Sequence, residues 1–210
     1  MEKVGNDLRR QGEGVANDRY LRHGNIVAVP MVGIMGTTDP RVEATRNAKV
    51  LAGVLGGTSL PLSGCAFIDQ HASDVHDPAL EEWDRTDIAI YTCEAIKQHF
   101  GGKALAPMPT RLYQQMKDQA KGEVGGLFLK EEGKEIVPRD FKRIGMSYGQ
   151  LQRVARSGRA ILIAGVQERR IEPALCCLRG RLVSTLITNP DFAWKILEIE
   201  LGVQRAVRER

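Results

Sequence analysis

The chain of 210 residues is 42% hydrophobic and 27% charged, the balance of an ordinary globular domain whose core needs neither disulfides nor a structural metal. Thirty Lys and Arg against 26 Asp and Glu leave a formal charge of +4, a mild basic excess that suits small anionic ligands and falls far short of a dedicated nucleic-acid binder. The N-terminus MEKVGNDLRRQGEG lacks the apolar region of a secretion signal, and no run of about 18 apolar residues exists to span a bilayer, so a cytoplasmic location without membrane contact is expected.

Residues 1–24 are polar, rich in Gly, Asn and Arg, and without lasting periodicity, which predicts a loose arm. Residues 25–210 are then expected to form the folded domain. NIVAVPMVGIMG, from Asn25, is a continuous apolar run bounded by glycines, the pattern of a strand buried on both faces; Pro30 implies an edge position, a bulge or an early end to its pairing. In DPRVEATRNAKVLAGVLGG, Asp39 is placed to cap a helix with Pro40 in its first turn, and Gly56 and Gly57 stop it.

TSLPLSGCAFI predicts a short strand or buried extended segment. The polar loop DQHASDVHDP follows, then a helical ALEEW and a compact strand from Asp87 to about Thr92. Between residues 94 and 121 the pattern is mixed, helical at EAIKQHF, broken at GGKALAPMPT and helical again at RLYQQMKDQA. GGLFLKEEGKEIVP reads as a β-hairpin turning at Gly133.

The remainder alternates: a helix near GQLQRVARSG, the strand AILIAGV, a helix through PALCCLRG, the strand LVSTLIT, and a helix that Asn189 caps with Pro190 and Asp191 in its first turn. This order of Ala-, Ile-, Leu- and Val-rich strands with helices predicts an α/β fold, a Rossmann-like, mostly parallel sheet flanked by helices on both faces, with the hairpin as an insertion.

In such sheets ligands bind beyond the carboxyl ends of the strands, where backbone donors and helix N-termini face solvent. Gly165, at the end of AILIA, allows close approach to the backbone, and Arg169 and Arg170 follow it. A planar guanidinium can hold two oxygens of a phosphate at once, although Gln167, Glu168 and Glu172 offer the same arginines internal partners.

Thr188 and Asn189 sit at a second strand end, suited to sugar hydroxyls, while a helix cap alone also explains Asn189. Thr92, Cys93 and Glu94 repeat the arrangement, with Glu94 a conceivable base. Gly122, Gly125 and Gly126 form either an anion nest or a tight turn into the hairpin; neither a P-loop nor a dinucleotide fingerprint is present. His71 and His76 near Asp69, Asp74 and Asp77 fit no metal motif, the four cysteines (65, 93, 176, 177) lack CxxC spacing and read as buried thiols, and Trp83 and Trp194 read as core or interface residues. No metal or cofactor is expected.

The succession WDRTDIAIYTC, GEVGGLFLKEEGKEI and RIGMSYGQLQRVARSGRAILIAGVQERRIEPALCCLRGRLVSTLITNPDFAWKIL resembles the effector-binding domain of SorC/DeoR-like sugar-responsive transcriptional regulators. The resemblance spans roughly residues 25 to 200 and rests on several short motifs in the family's order. It implies a Rossmann-like sheet binding a phosphorylated sugar at its strand ends, in an oligomer that grips DNA through an attached winged helix.

Gly165 matches a glycine of the family's Ala-Gly-Gly motif, Arg169 or Arg170 stands where a lysine follows, and Thr188 matches the threonine of Leu-Ile-Thr-Asp. Several positions depart from the pattern: Val166 replaces a glycine, Thr92 and Glu94 replace a Gly-x-Gly, Gly126 replaces an aspartate, and Asn189 replaces the final aspartate. Neither a winged-helix signature nor the family's early phosphate loop is found in residues 1–24.

The expected function is therefore a phosphosugar-sensing domain without catalytic activity, contacting Thr92, Glu94, Gly125, Gly126, Gly165, Arg169, Arg170, Thr188 and Asn189, and touching DNA only through a part absent from this sequence. The alternatives are a sugar-phosphate isomerase or deaminase drawing on Glu94, Glu123 or His99, and a ligand-free dimerisation module, which requires both arginines to be engaged by neighbouring carboxylates.

Overall fold

The computed structural model describes residues 26–34, 44–96 and 109–202. The expected arm, the Asp39–Pro40 cap, the helix at EAIKQHF beyond Ile96, most of the break at GGKALAPMPT, His23 and His99 lie outside these residues.

Pro30 has the effect the sequence implies, because β1 (Val27–Ala28) ends before it and the Pro30 carbonyl instead accepts a 2.9 Å hydrogen bond from the Trp83 indole. β1 is not buried on both faces as predicted, for Val27 is 45% exposed. It pairs in parallel with β2 (Thr58–Ser59) across helix α1 (Ala44–Leu55), which buries Ala48 and Ala52 and stops at Gly56 in a left-handed conformation, φ 69°.

β3 (Phe67–Asp69) is followed by α2 (Pro78–Arg85). The Asp77 carboxylate accepts from the Ala79 amide at 2.9 Å and Pro78 needs no amide partner, so a polar loop becomes a sharp helix start. Beyond β4 (Ala89–Tyr91) and α3 (Thr110–Met116), three antiparallel strands form a separate sheet: β5 (Gly122–Val124), β6 (Leu127–Leu129) and β7 (Glu135–Ile136).

The predicted hairpin is β6–β7, with Gly133 at φ 78°. A second hairpin precedes it. Gly125 and Gly126, at φ 52° and 78°, make the two-residue turn between β5 and β6, the conformation that brings tightly joined strands into register.

β8 (Phe141–Arg143) pairs antiparallel with β3, a pairing the sequence did not announce. α4 (Tyr148–Arg156) starts from a capping box in which the Ser147 hydroxyl accepts from the Gln150 amide and the Gln150 side chain accepts from the Ser147 amide. β9 (Ala160–Ile163), a 3₁₀ turn at Glu168–Arg170, α5 (Ile171–Arg179), β10 (Thr185–Ile187) and α6 (Pro190–Leu201) complete the chain order.

The site is built on the parallel sheet of order β10–β9–β4, in which Tyr91 lies opposite Leu162 and Ile187 opposite Ile163. One face carries Ala89, Tyr91, Ala160 and Leu162 into the main core with Leu151 and Val154 of α4 and Leu175 and Cys177 of α5. On the other face Ile90, Ile163 and Ile187 remain 46%, 42% and 52% exposed, so the described helices cover one side more fully than the other.

The Tyr91 hydroxyl, which donates to the Leu182 carbonyl, ties β4 to the turn before β10; burial keeps this phenol protonated well above its usual range. Under the hairpins a second cluster includes the stacked rings of Phe67 and Phe128, with centroids 5.6 Å apart. Trp83 is core, but Trp194 is 37% exposed. Of the cysteines expected to be buried, Cys93, Cys176 and Cys177 are, whereas Cys65, bridged to Ile34, is exposed; all four are free thiols.

Candidate functional site

The carboxyl ends of β4, β9 and β10 lie side by side because the three strands are parallel and in register. This gathers Thr92–Glu94, Gly165–Arg170 and Thr188–Asn189, three segments far apart in sequence, at one edge of the sheet.

The 3₁₀ turn after β9 is closed by hydrogen bonds from the Gln167 amide to the Gly165 carbonyl (2.8 Å) and from the Arg170 amide to the Gln167 carbonyl (2.9 Å). It presents Arg169 and Arg170 towards the end of β4. There the Glu94 carboxylate accepts from Arg170 Nη2 through Oε1, while Oε2 lies 3.7 Å from Arg169 Nε. The two arginines thus converge on one carboxylate.

The partners differ from those the local sequence offers. Arg169 Nε also donates to Gln167 Oε1 at 2.9 Å, but Glu172 is taken by Lys121 at 3.6 Å, and Arg170 turns to Glu94, which is 76 positions away. Sequence proximity could not show this, since strand order alone brings β4 beside β9.

The Glu94 side chain is 12% exposed and that of Arg170 24%, so the pair is sheltered from the screening that weakens surface ion pairs. The Glu94 backbone is fixed independently, its amide donating to the Glu123 carbonyl (3.0 Å) and its carbonyl accepting from the Glu123 amide (2.9 Å).

Glu123, at 6% exposure, went unrecognised as a structural carboxylate. Its Oε1 accepts the Gly126 amide across the β5–β6 turn, and the Gly125 carbonyl accepts from Arg143 Nη1 at 3.2 Å. The Gly126 amide is thus already engaged, and the tight-turn reading of Gly125 and Gly126 accounts for both.

Arg143 also donates to the Met146 carbonyl at 2.6 Å; burial pushes its pKa down to about 10 against the pull of Glu135 and Glu123, leaving it charged at neutral pH. Gly126, Arg143 and Phe141 line a hollow of about 320 Å³ beside the hairpins, and burial pushes the Glu135 carboxyl there above its ordinary range.

At the β10 end, Asn189 Oδ1 accepts from the Phe192 amide at 2.8 Å, the expected helix cap. Thr188 Oγ1 is buried without a hydrogen-bond partner among the described residues, and so is Arg170 Nε. Buried polar atoms are seldom left unpaired, and these two belong to loops at one strand edge.

Gly165 stands against Thr188 and Asn189: a Cβ built there would lie 3.3 Å from Thr188 Oγ1 and 3.3 Å from Asn189 Nδ2. Val166 next to it is held at φ 68° and is 90% exposed, an unusual conformation for a β-branched residue. Thr92 is exposed and projects on the same face as Ile90. Chemically, the edge offers two guanidinium groups, a threonine hydroxyl and a glycine-lined approach, with one carboxylate already among them. No group of three or more potential metal ligands exists among the described residues, and no described helix is long and apolar enough to cross a membrane.

No protein-family model matches the chain, and no curated protein matches it in sequence. Solved structures do match in fold. The probable sor operon regulator of Shigella flexneri superposes with a TM-score of 0.69 at 20% identity, covering 84% of this chain and 71% of that one. The full-length sorbitol operon regulator SorC of Klebsiella pneumoniae gives a TM-score of 0.66 at 17% identity over 90% of this chain, which spans 63% of SorC. A domain of a possible sugar-binding transcriptional regulator from Arthrobacter aurescens gives 0.64 at 19% identity, covering 81% of this chain and 68% of that one. The α/β fold of this chain is accordingly the one found in transcriptional regulators of the SorC and DeoR families.

Proposed function

We propose that residues 25–210 form a ligand-sensing domain of a cytoplasmic transcriptional regulator, binding a phosphorylated sugar or a similar small anion at the joined ends of β4, β9 and β10. The observation that carries this reading is the convergence of Arg169 and Arg170 at that edge, together with the buried, unpartnered Thr188 Oγ1 and Arg170 Nε. Guanidinium groups suit phosphate oxygens, and a threonine hydroxyl suits a sugar hydroxyl. The sugar-operon regulators among the structural neighbours support the same reading.

Sensing requires no bond chemistry. Glu94 and Glu123, the described carboxylates that an isomerase would draw on, are engaged by arginine and by the Gly126 amide respectively. A bound anion acts by favouring one arrangement of the loops at 92–94, 165–170 and 188–189, which a homo-oligomer relays to a DNA-binding part outside this sequence.

One observation favours a second reading, an interaction module with a permanently occupied cleft: the Glu94 carboxylate already engages both arginines. Thermal denaturation with a panel of phosphosugars separates the two. A sensor is stabilised by about 2.7 kcal/mol when ligand exceeds Kd a hundredfold, and Arg169→Ala with Arg170→Ala abolishes the shift. If no phosphorylated compound at millimolar concentration raises Tm, the occupied-cleft reading stands.

A further inference from the structure

We infer that Glu94 is a built-in competitor that sets the charge a ligand must carry: a phosphomonoester dianion displaces its carboxylate from Arg169 and Arg170, whereas a singly charged carboxylate or a neutral sugar does not. This rests on the proposed anion site and adds a selection rule to it.

The geometry places Glu94 as an internal stand-in for a ligand. Its Oε1 occupies the Nη2 donor of Arg170 and its Oε2 lies 3.7 Å from Arg169 Nε, a position that an incoming oxyanion would need. At 12% exposure the carboxylate is well sheltered, so its hold on the arginines is not dissipated by solvent.

Release leaves the backbone in place. Glu94 is anchored to Glu123 through both its amide and its carbonyl, so the side chain can swing out while the strand ends keep their register. The exchange is then one anion for another on the same donors.

Charge decides that exchange. A free carboxylate ligand carries the same single charge as Glu94 and, unlike Glu94, gives up translational freedom on binding. A phosphomonoester carries about −1.5 to −2 at pH 7 and three acceptor oxygens, enough to engage both guanidinium groups and leave an oxygen for further donors. The affinity for any anion is reduced by the fraction of time the arginines are held by Glu94.

The test is calorimetric titration of the full chain, at fixed ionic strength, with inorganic phosphate, glucose 6-phosphate and gluconate. It compares the wild type with Glu94→Gln and Glu94→Ala, each checked for native circular dichroism. We expect the phosphate-bearing probes to bind the wild type, gluconate to bind it not measurably, and both variants to bind phosphate about tenfold tighter or more and to acquire gluconate binding. Arg170→Ala added to Glu94→Gln should remove the gain.

Binding of the phosphate probes to the wild type with no tightening in either Glu94 variant overturns the competitor role and leaves the anion site standing. A gain that survives Arg170→Ala overturns it too, since the anion then binds elsewhere. Absence of binding in all three proteins overturns both the competitor role and the anion site.

Discussion

Gly165 and Thr188 face each other across the ends of β9 and β10, close enough that a Cβ at Gly165 would stand 3.3 Å from the Thr188 hydroxyl oxygen. That separation is slightly tight for a methyl group, and a side chain at position 165 would take up the space beside the buried hydroxyl.

Gly165→Ala is therefore expected to lower stability by about 1 kcal/mol, because a small shift relieves the contact, yet to weaken phosphosugar binding at least tenfold by filling the space between the strand ends in which a ligand oxygen would meet Thr188 Oγ1. Urea denaturation and calorimetry on the same protein separate the two effects.

Gly133→Ala should behave in the opposite manner. Its φ is 78°, and a Cβ there would run into the backbone of Gly180 and the carbonyl of Cys176, the junction where the β6–β7 hairpin meets the end of α5. Strain and backbone clash together predict a loss of about 2 kcal/mol or more, read as a lower urea midpoint.

These glycines show what the sequence discloses. The Gly133 turn, the Asn189–Pro190 helix start and the strand AILIA are local patterns whose signals lie within a few residues, and all appear as expected. β8 was not legible, because Phe141–Arg143 has no apolar alternation and owes its strand form to pairing with β3, more than 70 positions earlier. For the same reason the edge holding Gly165, Arg169, Arg170, Thr188 and Asn189 could be named from strand-end logic, while the Glu94–Arg170 contact and the burial of Glu123 depend on which strands become neighbours.

Asn189→Ala removes the acceptor that satisfies the Phe192 amide at 2.8 Å. A cap of this kind is worth about 1 kcal/mol, so the urea midpoint should fall correspondingly. Asn189→Asp retains the acceptor and should keep most of the stability, which distinguishes capping from packing.

Alkaline pH should destabilise the protein through its buried thiols. Burial pushes the Cys176 thiol up to about 12 from an ordinary value of 9.0. Above pH 9 the unfolded chain loses this proton while the folded chain keeps it, so the contribution is fully present below pH 9 and declines as pH rises towards about 12. Each unit of pH removes at most about 1.4 kcal/mol. Cys176→Ala should flatten the decline, both by removing its own thiol and by removing its push on the neighbouring Cys177; Tyr91, raised in the same direction, titrates in both proteins and cancels from the comparison.

The most direct measurement is an electron-density difference map of crystals grown with and without glucose 6-phosphate. The anion-sensing account predicts a phosphate group within about 3 Å of the Arg169 and Arg170 guanidinium nitrogens, at the joined ends of β4, β9 and β10. Phosphate density in the hollow beside Arg143 instead, or none at saturating ligand, would contradict it.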